Sequence, residues 1–166
     1  SRAPQASRSA DSVASPASPS AGTARASFFV EQTHYGYDGS RTFYRFELVR
    51  EKAGSGARYE AGFSADGQTR ATSGRLDEKA CNDFFEELRA HGAWRLVDAP
   101  VKVLGRDTTR LYIQEGSRSH LVTYAVDSDQ VSRSVDRFLS ESVVGTVQYE
   151  LAKAGSAATA SPSPAR

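Results

Sequence analysis

The stretch LDEKACNDFFEELRAHG, Leu76 to Gly92, is where the chain changes its period. Ala80, Cys81, Phe84, Phe85 and Leu88 recur at helical spacing and make one apolar stripe. Asp77 stands where an N-cap belongs, and Glu78 puts negative charge in the first turn, where the helix dipole favours it. Leu76 is placed to pack on Cys81 as a staple. Arg89 and His91 carry the last turn, and Gly92 stops it.

Upstream the period is that of strands. FFVEQTHY (28–35) and TFYRFELVR (42–50) are rich in aromatic and β-branched residues and flank GYDGS. Asp38-Gly39 predicts a hairpin turn, because glycine supplies the positive φ that such turns need. After the break EKAGSGA come RYEAGFS (58–64), a second Asp-Gly turn in ADGQ, and TRATSGR. In 42–50, Tyr44, Phe46 and Leu48 fall on one face and Phe43, Arg45, Glu47 and Val49 on the other. The first set reads as core.

Downstream, AWRLVD and APVKVLGRD form a connection with room for a short strand at 101–104. TTRLYIQ (108–114) and SHLVTYAV (119–126) flank EGSR as a further hairpin, with Arg110, Tyr112 and Gln114 on its outer side. DSDQVSRSVDRFLSESVV predicts a second helix, with Asp127 and Gln130 as a capping box and Val131, Val135, Phe138 and Leu139 as its stripe. It stops near Gly145 or runs on through TVQYELAK. Strands, helix, hairpin, helix is the order of an α+β fold. The expectation is a largely antiparallel sheet of about six strands, packed on one face by two amphipathic helices.

The ends differ from the middle. Residues 1–27 are Ala- and Ser-rich with three prolines, and AGSAATASPSPAR has the same character. Such segments bury too little surface to offset their ordering entropy. The reading is therefore a disordered arm at 1–27, one globular domain at 28–152 and a disordered tail at 153–166. Arg2, Arg8 and Arg25 against Asp11 give the arm +2, and Lys153 and Arg166 give the tail +2. The total of +1 leaves −3 on 28–152. That balance argues against nucleic acid and against an anionic membrane. No apolar run is long enough to span a bilayer. There is no methionine, even at position 1, as expected if a secretory signal peptide has been removed or the sequence is an excised piece.

Chemistry leaves few traces. Cys81 is the only cysteine, which excludes an internal disulfide and a multi-thiolate metal site. Its place on the stripe predicts a buried small hydrophobe. His34, His91 and His120 lie in no metal-ligand spacing. GxSxG, GxxxxGK[ST] and the dinucleotide fingerprint are absent. Asp83, Glu86 and Glu87 cluster opposite the stripe, as solvated helix faces do. Trp94 reads as closing the edge of the core. No catalytic residue, metal or cofactor is assigned. The binding candidates are Tyr35, Tyr37 and Arg41 at the first hairpin tip, with Arg45 on the adjoining sheet face.

Sheet hairpins followed by GRLDEKACNDFFEELRAHGAWRLVD resemble small bacterial envelope domains. In those, an amphipathic helix ending near a Trp or Phe follows a sheet. The likeness covers about residues 28–140, identifies no family and transfers no functional residue. The functional expectation is a non-enzymatic, extracytoplasmic binding or scaffold module on a flexible tether, with another protein or an envelope component as partner. Two alternatives stand beside it. One is a hydrolase or transferase whose site would show as His34 or His120 beside a carboxylate in a deep pocket. The other is a weak single-stranded nucleic-acid binder using an aromatic and basic sheet face.

Overall fold

The computed structural model describes residues 25–52, 54–99 and 106–145. β1 (Ala26–Tyr35) and β2 (Arg41–Arg50) form the first hairpin. At its tip Gly39 has φ 81°, and the Asp38 carboxylate accepts the Ser40 N–H at 2.9 Å. β3 (Ala57–Ala65) and β4 (Gln68–Leu76) form the second. Asp66 and Gly67 between them both have positive φ, 52° and 73°, the type I′ geometry whose twist suits two-residue hairpins. Glycine at the second position removes half of that strain.

α1 (Glu78–Ala90) follows directly. The Asp77 carboxylate caps it by accepting the Ala80 N–H at 2.7 Å, as the sequence predicts. Gly92, at φ 85°, ends it, donating its N–H to the Arg89 carbonyl. A single 3-10 turn at Ala93–Arg95 leads toward β5 (Thr108–Glu115) and β6 (Arg118–Ala125), and α2 (Gln130–Leu139) runs into a π-helical turn at Ser140–Val144.

The six strands make one antiparallel sheet in the order β4-β3-β2-β1-β5-β6. The first strand in sequence is thus central, with β2 on one side and β5 on the other. Alternation accounts for this. Ala26, Phe28, Val30 and Gln32 of β1 are all buried, and their cross-strand partners Leu48, Phe46, Tyr44, Ile113, Leu111 and Thr109 are buried too. These strands share one core with Cys81, Phe85 and Leu88 of α1 and Val135, Phe138 and Leu139 of α2. The Phe84 ring lies 5.1 Å from Phe28, 6.1 Å from Phe46 and 5.7 Å from Phe138. Each large apolar side chain so buried contributes about 1.5–3 kcal/mol.

Two local expectations change. Asp129, not Asp127, caps α2: Asp129 is extended and accepts the Ser132 N–H at 2.7 Å, while Ser132 Oγ accepts the Asp129 N–H at 2.9 Å. Asp127 has φ 58° and belongs to the preceding turn, so it is too far back to reach the helix amides. β1 begins at Ala26 rather than Phe28, because β5 and β2 both supply it with partners there, Glu115 and Arg50. Leu76 is the last residue of β4 and is half-buried against the core. The strand expected at 101–104, the continuation through TVQYELAK, and both arms apart from Arg25, Ala26 and Ser27 lie outside the described residues.

Candidate interaction surface

The sheet has a second face, made of the residues that alternate with the core. Register fixes its rows. Glu60, Glu47, Phe29, Tyr112 and Leu121 lie side by side across β3, β2, β1, β5 and β6. The next row is Gly62, Arg45, Glu31, Arg110 and Thr123. Leu121 is 54% exposed, and Phe29 and Tyr112 are half-buried. The Arg45 guanidinium lies 5.2 Å from the Phe29 ring centre, and its Nη2 is 3.5 Å from Glu47 Oε2.

Of the residues expected from sequence, Tyr35, Arg41 and Arg45 fall on this face. Tyr35 and Arg41 are register partners at its end, and Arg45 pairs with Glu31 further in. Tyr37 stands apart at the turn, fully exposed. Phe29, Leu121, Arg58 and Arg75 join the surface without having been singled out from sequence. Strand parity was the signal that could have found Leu121, since Val122 and Tyr124 point inward.

The face is basic on an otherwise acidic body. Arg41, Arg45, Arg58, Arg75 and Arg110 stand against Glu31, Glu47 and Glu60, an excess of two positive charges. Arg58 and Arg75 are directly opposite each other, as are Glu47 and Glu60. Like charges so placed are unfavourable. Neither arginine has an ion-pair partner among the described residues. Between Arg45 and Glu60 the small residues Gly62, Ala71 and Ser73 leave a depression of about 390 Å³. Aromatic rings and a stacked arginine are what protein-binding surfaces are enriched in.

Three polar constellations lie elsewhere. At the end of β1, His34 Nδ1 is 2.9 Å from Asp107 Oδ2, and Asp107 Oδ1 accepts the Tyr35 N–H at 2.9 Å. Burial pushes the Asp107 carboxyl up, but the bonds from His34 and Tyr35 outweigh it and hold the group below its ordinary value. Neither His34 nor Asp107 lines the depressions beside Gly62, Gly56 or Ser134. Between the helices, His91 Nδ1 is 2.9 Å from Ser134 Oγ, and His91 Nε2 is 3.4 Å from Glu87 Oε2. The imidazole stacks on Phe138 at 5.1 Å and borders a depression shared with Arg133 and Arg137.

The third constellation is enclosed. Asp136 Oδ1 accepts the Tyr124 hydroxyl at 2.8 Å, with Thr109 Oγ1 and Gln32 Nε2 each at 3.4 Å. Burial raises the Asp136 carboxyl above its ordinary value, against the hydrogen bonds it accepts. Burial raises the Tyr124 phenol as well, reinforced by Asp136. Cys81 is fully buried, and burial raises its thiol despite the nearby Arg50 guanidinium, so it is no ready nucleophile. Trp94 is half-buried on the core, donates Nε1–H to Glu115 at 3.2 Å and carries Arg118 over its ring at 4.0 Å.

No group of three or more His, Cys, Asp or Glu placed to hold a metal occurs among the described residues. No helix among them is long and apolar enough to cross a membrane. No protein-family model matches the chain, and no curated protein matches it significantly.

Proposed function

We propose that this chain is a non-enzymatic binding module whose second sheet face receives an acidic partner protein. The observation that carries this reading is the make-up of that face. Arg45 lies over Phe29, Tyr112 and the exposed Leu121 sit beside them, and cations exceed anions on a body that is otherwise acidic. Opposite potentials steer association, and aromatic and arginine side chains supply the contact energy. In this reading both helices cover the Phe28 and Phe46 face, as the contacts of Phe84 and Phe138 support, and leave the second face to the partner. The Ala/Ser/Pro-rich arm acts as a spacer that holds the domain off an envelope surface, outside the cytoplasm. The test is a pull-down from an envelope extract with the wild type and with Arg45→Ala/Leu121→Ser, both folded. The wild type should retain an acidic protein that the variant loses; equal retention by both, or by neither, overturns the reading.

A second reading has one specific observation in its favour. With its proton on Nε2, His91 can accept from the Ser134 hydroxyl while donating toward Glu87. That is the order of groups that activates a serine nucleophile. No backbone donors for an oxyanion are arranged around it in the bonds described, which is why it stands second. A fluorophosphonate probe that labels Ser134 in the wild type and not in His91→Ala would establish an acyl-transfer enzyme.

A further inference from the structure

The two edges of the sheet are treated differently. On β6 the edge is covered: Ala99 N–H donates to the Thr123 carbonyl at 3.1 Å, and Thr123 N–H donates to Asp98 Oδ1 at 2.8 Å. On β4 no backbone hydrogen bond reaches the outer edge among the described residues. β4 runs nine residues, pairs one-to-one with β3 without a bulge, and holds no proline and no lysine. Exposed edges are ordinarily blunted by shortness, a bulge, proline or charge, and of these β4 has only the charge of Arg70 and Arg75.

Turn geometry says which groups face outward. In a two-residue hairpin the pair flanking the turn is hydrogen-bonded, and bonded and non-bonded pairs then alternate. On β6, counting from Glu115↔Arg118, this rule turns the N–H and C=O of Thr123 outward, and Thr123 is the residue that Asp98 and Ala99 bond. On β4, counting from Ala65↔Gln68, it turns those of Thr69, Ala71, Ser73 and Arg75 outward. Four donors and four acceptors thus stand in a regular row.

The side chains along that row define what fits. Thr69, Ala71 and Ser73 are small and admit a neighbouring backbone closely. Gly74 lies under the Tyr59 side chain, where an added Cβ would collide with the hydroxyl, so the phenol reaches toward the edge. β4 carries Arg70 and Arg75 and no carboxylate, and Arg75 faces Arg58 across the strand pair. A second β4 from another copy would add like charge; an acidic strand would neutralise it. We infer that β4 is a strand-addition site that takes an extended, acidic segment of a partner protein as a seventh strand. The inference rests on the binding reading for its biology, but on different atoms: backbone of β4 rather than side chains around Arg45.

The probe is a ten-residue peptide alternating Val and Glu, titrated into the full chain at low salt, with a Val/Lys peptide as its counterpart. Amide exchange is read residue by residue. The Val/Glu peptide should slow exchange at Thr69, Ala71, Ser73 and Arg75 by at least about ten-fold, and the Val/Lys peptide should not. Ala71→Pro removes an outward N–H and no ladder bond, so it should fold and lose the effect. Arg75→Glu should invert the preference between the peptides. Absence of protection at β4, or equal protection by both peptides, overturns the inference. Protection without peptide that grows with protein concentration would show a second copy as the occupant and overturn it too. Arg45→Ala/Leu121→Ser should leave peptide protection unchanged, so loss of the edge and loss of the face are told apart.

Discussion

Asp136 is the residue whose role the sequence conceals most completely. In VSRSVDRFL it follows Val135 and precedes Arg137, which reads as the solvated side of the helix. Its partners Gln32, Thr109 and Tyr124 come from three strands, the first 104 residues away, and no periodicity links them. Asp136 Oδ2 makes no hydrogen bond within the described residues. Because the folded group titrates above 3.8, the stability it allows is fully present below that pH and is lost as pH rises through the folded value. Asp136→Asn cannot ionise. Its melting temperature should therefore gain on the wild type as pH climbs from about 4 toward neutral, whatever the offset at acid pH. A difference between the two that does not change with pH would show Asp136 to be unperturbed. Phe84 was legible as core from its stripe, though not as the hub where rings from β1, β2 and both helices meet. Phe84→Ala should cost about 3 kcal/mol in denaturant unfolding, and Glu86→Ala on the exposed side within about 0.5 kcal/mol. Similar losses from the two would put the helix in a different phase.

Among the elements, α1 and the Asp-Gly hairpins were readable because each carries its own signal: a stripe with a cap, or a turn dipeptide between alternating runs. The start of α2 was not. DSDQ offers two aspartates two positions apart, and either can precede a helix. The choice falls to backbone geometry, since Asp127 occupies the left-handed region while Asp129 is extended with its carboxylate on the Ser132 amide. Ser132 in turn fills the third-position role that Glu or Gln usually takes, so the actual box escaped notice while Asp127 and Gln130 matched the usual pattern. Asp129→Ala should lower stability by about 1 kcal/mol in thermal or denaturant melts, and Asp127→Ala by clearly less, with Asp127→Gly neutral or better. The reverse ranking would return the cap to Asp127. The binding candidates were legible to the same degree. Tyr35, Arg41, Arg45 and their neighbour Phe29 follow from the parity of one hairpin, whereas Arg58 and Leu121 become their neighbours only once strands are ordered.

That ordering belongs to the whole molecule, and nothing local specifies it. Hairpins announce that β1 adjoins β2, β3 adjoins β4 and β5 adjoins β6, but the pairing of Ala26–Tyr35 with Thr108–Glu115 joins segments with β2, β3, β4 and α1 between them. It is fixed by Phe28, Val30 and Gln32 needing buried partners on both sides, which only a finished core supplies. Time enters here. A ribosome delivers β1 to β4 and α1 well before the hairpin of β5 and β6. Through that interval the middle of the eventual sheet is a rim, with Phe28 and Val30 at its border and an unsatisfied ladder beside them. Sheets with such distant pairings form slowly, and their unfinished forms aggregate. A chain released after residue 99 should precipitate or be held by a chaperone, even though four of its six strands are complete. The protein is therefore most vulnerable during its own birth, and the last hairpin to emerge is the one that closes the wound.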